Sequence, residues 1–308
     1  MNRENPLITL YGSNYIDNEW TIPCMKSWGN IQNISSSQFY VLPDSALSNR
    51  EEAVFSSMNF QVLNSNSVVE DFLTDYPALK EIRSKDSTWR KIIDSAILFP
   101  KVEKITIIDT DVYIKDRVLL PMKGFDIAYM REDVPAYRGK WNMAWNEKMV
   151  PALNAGLITV NPEIIDFRYL EKIVSKYLTT CKSYWWSEQS GWSCLAGKSK
   201  KRVLFNGKQV KVTSGMRKRS VLEVQRNGYK YFGKKGMIDS FEEFRHLLKG
   251  GSIFHFAGPG KYMFKNSFSE FKNNVQSELI QITIEEEDTL SFRDKFFISM
   301  RLYLKEKF

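Results

Sequence analysis

The chain has 308 residues, 43% of them hydrophobic and 14% aromatic, with a formal net charge of +8. That composition excludes a disordered chain and supplies enough apolar material for one large domain or two small ones. There is no run of about 18 apolar residues and no apolar stretch in residues 1–6, so neither a spanning helix nor a signal peptide is expected, and a cytoplasmic protein is.

Residues 7–10 form a short apolar strand, and residues 20–28 read as a helix. Phe39-Tyr40-Val41-Leu42 is a second strand, ended by Pro43-Asp44. Ser48-Asn49-Arg50-Glu51-Glu52 then has the form of a helix cap. Trp89, Ile92, Ile93, Ala96 and Ile97 recur at helical spacing until Pro100. The Ile-rich run Ile105-Thr106-Ile107-Ile108 predicts a buried strand that delivers Asp109-Thr110-Asp111 at its end. Further strands are expected at 125–130 and 157–160, the latter followed by a helix through Tyr177. This alternation predicts an α/β fold with a mostly parallel mixed sheet flanked by helices.

The charge is uneven. Between Lys198 and Lys235 there are 13 Lys and Arg against one acid, Glu223. Asn206-Gly207 and Asn227-Gly228 are hairpin signals beside Arg202-Val203-Leu204-Phe205, Val210-Lys211-Val212, Val221-Leu222 and Tyr229-Lys230-Tyr231-Phe232. The expectation is an inserted basic β-meander over 198–235, with an affinity for anions. Residues 239–248 read as a helix and 252–254 as a strand. The tail, 292–308, carries Phe296, Phe297, Met300 and Leu304 at near-helical spacing among five Lys and Arg. It suits a helix docked on the domain or one lying on an anionic membrane, as the basic segment 198–235 also does. Cys24, Cys181 and Cys194 lack metal-ligand spacing and read as thiols in a reducing compartment.

Polar groups gather where strands end. Open α/β sheets bind ligands beyond the carboxyl ends of their strands. Three such ends carry suitable residues: Gly12-Ser13-Asn14-Tyr15, Asp109-Thr110-Asp111, and His255 after Ser252-Ile253-Phe254. Two carboxylates at a strand end can share a divalent cation. A neutral imidazole is a third ligand type. In His255-Phe256-Ala257-Gly258-Pro259-Gly260-Lys261 the glycines let backbone N–H groups approach phosphate, and Lys261 adds a point charge. Two other classes compete. A phosphatase of the haloacid-dehalogenase class also places Asp-x-Asp after an apolar strand, but Tyr113 stands where it wants Thr or Val. A nucleic-acid-binding module would use the basic segment with Tyr229, Tyr231 and Phe232, and leaves the strand-end carboxylates unexplained.

Taken in order, these motifs resemble glycosyltransferase family 8, the retaining sugar-nucleotide transferases with the type A fold, which include bacterial lipopolysaccharide galactosyl- and glucosyltransferases. The resemblance spans roughly residues 6–265. It rests on Leu10-Tyr11-Gly12-Ser13-Asn14-Tyr15, Trp89-Arg90-Lys91, Asp109-Thr110-Asp111, Asn154-Ala155-Gly156-Leu157, Ser187-Glu188-Gln189 and the His255 to Lys261 stretch. It implies that Asp109, Asp111 and His255 hold manganese or magnesium. Tyr15 would stack on the base of a UDP-sugar, with Asn14 nearby and Leu10, Tyr11 and Thr110 also on the donor side. Arg90 and Lys261 would contact donor hydroxyls or the diphosphate, and Gly258 would offer its backbone to phosphate. Asn154 would touch donor or acceptor sugar, and Gln189 and Glu188 would line the reacting carbon. The implied reaction moves a hexose, glucose or galactose, to a glycan or lipid-linked glycan. An inverting transferase using Glu188 as base is the near alternative. Departures are Gly12-Ser13 in place of an Asp, Tyr262-Met263 after Lys261, and Glu188 in place of Asp. The expected organisation is a transferase domain, 1–265, and a helical segment, 266–308.

Overall fold

The computed structural model describes residues 5–13, 15–132, 135–181, 184, 186–214, 238, 240–273, 278–287 and 290–307. The chain begins with strand β1 (Leu7–Tyr11), helix α1 (Thr21–Ser27), β2 (Phe39–Pro43), α2 (Asn49–Ser57) and β3 (Gln61–Val62). Helices α3 (Asn66–Phe72), α4 (Pro77–Lys85) and α5 (Arg90–Leu98) precede β4 (Ile105–Ile108). Then come β5 (Val112–Ile114), β6 (Val118–Leu119), β7 (Ile127–Arg131), α6 (Met143–Asn146) and β8 (Leu153–Val160). Helices α7 (Phe167–Ile173) and α8 (Ser187–Lys198) lead to β9 (Arg202–Phe205) and β10 (Val210–Val212). The last elements are α9 (Phe241–Leu248), β11 (Ile253–His255), α10 (Phe264–Asn273), β12 (Ile280–Gln281), β13 (Ile284–Glu286) and α11 (Phe292–Lys307).

Eight strands form one mixed sheet in the order β13-β9-β7-β8-β4-β1-β2-β3. The run β4-β1-β2-β3 is parallel, while β8 lies antiparallel to both β4 and β7. Both faces of this sheet are covered, which explains why β4 and β8 are buried along their whole length. Successive residues of β1 serve opposite faces: Ile8 joins the cluster under α5 and α8 with Ile105, Ile107, Trp89, Ile92 and Leu195, and Leu7 joins the other with Ile108, Val41, Trp28 and Phe55. Thr106 and Thr159 meet across the β4–β8 pair at 3.3 Å, so neither buried hydroxyl is left alone.

A second sheet, β10-β11-β5, meets the first where the chain leaves β4. A phenylalanine cluster lies beneath it, with Phe244, Phe254, Phe256, Phe264 and Phe271.

Two sequence expectations need correction. The Asn206-Gly207 turn forms, with the Gln209 and Val210 N–H groups donating to the Asn206 carbonyl. It does not close a hairpin: β9 pairs with β7 and β13, and β10 pairs with β11. Buried partners in two sheets outcompete the local pairing that turn chemistry favours. The expected strands 221–222 and 229–232 lie outside the described residues. The strand expected at 157–160 is twice as long, Leu153–Val160, and takes in Asn154. Its first half carries polar and small residues, which hide it from an apolar pattern. The C-terminal helix α11 is docked: Ile298 and Leu302 are buried in the main core, and Trp145 of α6 lies edge-on to Phe292 at 5.4 Å. Among the described residues no helix is long and apolar enough to cross a membrane. The three cysteines are free thiols.

Candidate active site

The site is built at the seam between the two sheets. Strand β4 ends at Ile108, and the turn Asp109–Asp111 closes when the Val112 N–H donates to the Asp109 carbonyl at 3.0 Å. β5 starts at once. β11 runs antiparallel to it, with His255 opposite Val112. The Phe256 N–H donates to the Asp111 carbonyl at 3.0 Å, which clamps β11 to the turn. From the other side, β8 brings Gly156 against Asp109, whose N–H donates to the Gly156 carbonyl at 2.8 Å. Sheet register alone therefore assembles Asp109, Asp111 and His255 from residues 146 positions apart in the chain. One ligand atom from each lies within 4.8 Å of the others.

The electrostatics are tight. Asp111 and His255 are buried. Lys261 Nζ pairs with Asp111 Oδ2 at 2.8 Å, and His255 Nε2 faces Asp111 Oδ1 at 3.2 Å. That oxygen has no hydrogen-bond partner. The 3.2 Å approach of Nε2 is therefore close without hydrogen-bond alignment. Burial alone would raise the Asp111 carboxyl, but His255 and Lys261 outweigh it and hold it well below the ordinary carboxylate range. Burial pulls the His255 imidazole down, and Asp111 more than restores it, so that it ends above its usual value. Lys261 is likewise raised by Asp111 against its burial. The orphaned oxygen, the imidazole and the second carboxylate form an O, O, N donor set of the kind that holds a divalent cation.

A second layer comes from α5 and α8. Lys91, buried at the start of α5, reaches Asp109 Oδ1 at 3.0 Å and Glu188 Oε1 at 3.3 Å. Its ammonium is held charged because these two carboxylates overcome the cost of burial. Glu188 also accepts from Trp192 Nε1 at 2.5 Å. Burial pushes its carboxyl up to about 7, opposed by Lys91 and aided by Asp109. Glu188 sits in the first turn of α8, whose N-cap Trp186 has a left-handed backbone, φ 72°. Such strain in a bulky residue needs support. Ser187 supplies it: its Oγ accepts from Trp89 Nε1 at 2.7 Å and donates to Asp86 Oδ2 at 3.0 Å. Gln189 is spent on backbone. Its Oε1 accepts from the Ala155 N–H at 3.2 Å, and its Nε2 donates to the Ala136 carbonyl at 2.7 Å.

The remaining expected residues divide. Tyr15 lies half-exposed at the rim, edge-on to Tyr11 at 5.7 Å. A Cβ on Gly12 would come within 2.6 Å of the Tyr15 ring, which accounts for glycine there. Tyr11 is buried and holds the loop: its hydroxyl donates to Glu51 Oε1 and accepts from the Ile16 N–H, both at 2.8 Å. Leu10 is half-buried beside it, and Thr110 is buried between the two aspartates. Asn14 lies outside the described residues. Gly258 has φ 51° and opens the tight turn Gly258–Met263 that brings Lys261 to Asp111. Arg90 donates to the Pro43 carbonyl at 2.6 Å, at the end of β2, while its neighbour Lys91 takes the contacts to Asp109 and Glu188. Asn154 is buried against His255, 2.8 Å from Nδ1. Lys91 and Trp20, whose ring lies 5.6 Å from Lys261 Nζ, were missed by sequence reasoning. A lysine set among Ile92 and Ile93 on an amphipathic helix is the signal that could have found the first.

No protein-family model matches the chain, and no curated protein matches its sequence. Among solved structures, it is similar to mouse xyloside xylosyltransferase 1 in its apo form, with 10% identity over 82% of this chain and 97% of that one, TM-score 0.48. It is similar to the apo WbbM bifunctional glycosyltransferase, with 12% identity over 84% of this chain and TM-score 0.47, and it spans 46% of that longer chain. It is also similar to the galactosyltransferase LgtC in complex with donor and acceptor sugar analogs, with 12% identity over 89% of this chain and 97% of that one, TM-score 0.43. All three are glycosyltransferases. At such identities and scores the likeness carries no residue role to this chain.

Proposed function

We propose that this chain is a metal-dependent glycosyltransferase that moves a hexose from a UDP-sugar to a glycan or lipid-linked glycan, with retention at the anomeric carbon. One observation carries the reading: Asp109, Asp111 and His255 converge at the carboxyl end of the central sheet, with a buried oxygen of Asp111 unpartnered. An unpaired buried carboxylate oxygen is costly unless a cation completes it. The ordered motifs of the sequence add the chemical class.

In this reading Asp109, Asp111 and His255 hold manganese or magnesium, which when bound neutralises charge on a departing diphosphate. Lys261 stands 2.8 Å from Asp111 and adds a second positive charge on the same side. Gly258 opens the turn whose backbone faces the phosphates. Tyr15 offers a half-exposed ring to the base. Lys91 bridges Asp109 and Glu188 and fixes both. Glu188 and Gln189 form the wall behind the sugar, with Gln189 locking the Ala155 backbone. Leaving-group phosphate takes the acceptor proton in front-face attack. In this reading the transferase unit takes in residues 1–265 together with β13 and α11, which lie in its sheet and core, and the expected location remains cytoplasmic.

A second reading has one observation in its favour. Glu188 is held near 7, the value suited to a general base at neutral pH, which fits an inverting transferase. The test is a panel of sugar nucleotides assayed for manganese-dependent release of UDP, followed by NMR of the product's anomeric configuration. UDP-hexose turnover with retention is the expected result. Inversion selects the second reading, and no turnover of any sugar nucleotide with no manganese binding overturns both.

A further inference from the structure

The geometry points to Asn154 as a positioning residue: it fixes the tautomer of His255 so that Nε2 is the nitrogen presented to the cation. This inference rests on the metal-dependent reading above. It starts from a group whose hydrogen is not in question, the backbone N–H of Gly156, which donates to Asn154 Oδ1 at 2.9 Å. If the side-chain amide were turned the other way, its NH2 would face that N–H, donor against donor. The other end agrees, since Asn154 Nδ2 donates to Glu132 Oε2 at 2.9 Å, and a carboxylate only accepts. Two independent contacts thus orient the amide.

The same Oδ1 lies 2.8 Å from His255 Nδ1. An amide oxygen cannot donate, so Nδ1 must carry the hydrogen. In the neutral imidazole Nε2 then holds a lone pair, and it is Nε2 that faces the unpartnered Asp111 Oδ1 at 3.2 Å. Two lone pairs set against each other at that distance repel; a second ring proton or a bound cation relieves the contact, and only the cation uses Nε2 as a ligand. The chain Glu132, Asn154, His255 therefore runs from the residue after β7 through β8 to β11 and ends on the ligand atom. Outer-shell hydrogen bonds of this kind set ring orientation and ligand basicity.

Gly156 completes the device through its lack of a side chain. A Cβ there would fall 2.2 Å from His255 Nδ1, and its nearest contacts are all atoms of that ring. The imidazole packs against the strand because residue 156 leaves the space open. Asn154 and Gly156 are thus needed together: one sets the proton, the other makes room for the ring.

The experiment measures manganese affinity directly on the metal-stripped full chain, by electron paramagnetic resonance titration, for wild type, Asn154→Leu, Asn154→Asp and Gly156→Ala. Asn154→Leu should weaken binding about 10- to 100-fold. Asn154→Asp, made together with Glu132→Gln so that an amide donor meets the new carboxylate, keeps the acceptor oxygen and should stay within a few-fold of wild type, a contrast that general damage to folding does not produce. Gly156→Ala should lose binding with every ligand still present. A second readout needs no metal. In a His246→Gln background only His255 reports in 15N-histidine spectra, and at alkaline pH its hydrogen should sit on Nδ1 in wild type and on Nε2 in Asn154→Leu. Equal manganese affinity in wild type and Asn154→Leu, or a wild-type hydrogen on Nε2, overturns the inference. A wild-type chain that binds no manganese overturns the metal-dependent reading instead.

Discussion

Helix α5 carries two clusters of buried charge, one around Asp94 and one around Lys91, and they are wired differently. Asp94 is fully closed: Arg83 donates from Nε at 2.7 Å and from Nη2 at 2.8 Å, and Ser65 Oγ donates at 2.7 Å. Arg83 spends its remaining reach on Glu70 at 3.0 Å and Asn66 at 3.2 Å. The Lys91 cluster runs on through Asp109 to Asp111 and stops at an oxygen without a partner. Three carboxylates there, Asp109, Asp111 and Glu188, face two lysines, Lys91 and Lys261. A structural ion pair closes on itself because a leftover buried charge is expensive. A binding centre is left with a ligand atom open, here Asp111 Oδ1, and that opening draws the ligand.

The largest expected effect strikes the open cluster. Asp111→Asn should weaken manganese binding at least about 100-fold and lower sugar-nucleotide turnover at least about 1,000-fold, with the chain still folded by circular dichroism. The matching change in the closed cluster, Asp94→Asn, should do the reverse. Breaking a buried pair by removing one partner costs about 3–5 kcal/mol, read by urea unfolding, while the folded fraction binds manganese as wild type does. If the two variants behave alike, the distinction between closed and open clusters is lost.

How far this was legible in the sequence follows from the range of each interaction. Asp109, Asp111 and His255 could be placed at strand ends because Ile105-Thr106-Ile107-Ile108 and Ser252-Ile253-Phe254 carry their own signal. Their meeting could not be read locally, since it depends on β11 choosing β5 as partner. Lys91 was passed over for Arg90 because one residue of helix phase, about 100° of rotation, decides which side chain enters the site. Asn154 was legible as part of a motif, yet its contact with His255 spans 101 residues and follows from how the two sheets meet. Asn206-Gly207 gave its turn correctly and its strand pairing incorrectly, because turn chemistry is local and partner choice is not.

The pH response separates the clusters again, at intermediate size. Burial raises the Glu188 carboxyl from 4.5 to about 7 against the pull of Lys91. The folded chain therefore holds this proton more tightly than the unfolded chain does. Between 4.5 and about 7 the folded state carries the extra proton, so Glu188 makes stability fall as pH rises through that window and adds no slope above it. Glu188→Gln should flatten that slope; because it also removes one partner of buried Lys91, the slope and not the absolute stability is the quantity to read. Denaturant midpoints taken across the window check the sign. A slope unchanged in the variant would show that Glu188 is ionised throughout and the site is less dry than its burial implies.

The smallest effect belongs to a charge pair with neither closure nor burial. Arg50 Nη1 meets Asp17 Oδ1 at 3.0 Å, with the two side chains 71% and 57% exposed. The distance matches that of Lys91 to Asp109, so geometry alone predicts equal importance. Water and side-chain entropy decide otherwise: exposed pairs contribute about 0–1 kcal/mol. Arg50→Ala should change unfolding stability by less than about 1 kcal/mol, with added salt erasing the difference. Asp17 ends the short turn Tyr15–Asp17, so the nucleotide KM of the same variant reports on loop placement. That loop is already held by Tyr11, whose buried hydroxyl accepts from the Ile16 N–H and donates to Glu51. KM should therefore stay within about two-fold, a shift of less than half a kcal/mol. A large rise in KM with unchanged stability would mean that an exposed pair, not the buried tyrosine, sets the position of Tyr15.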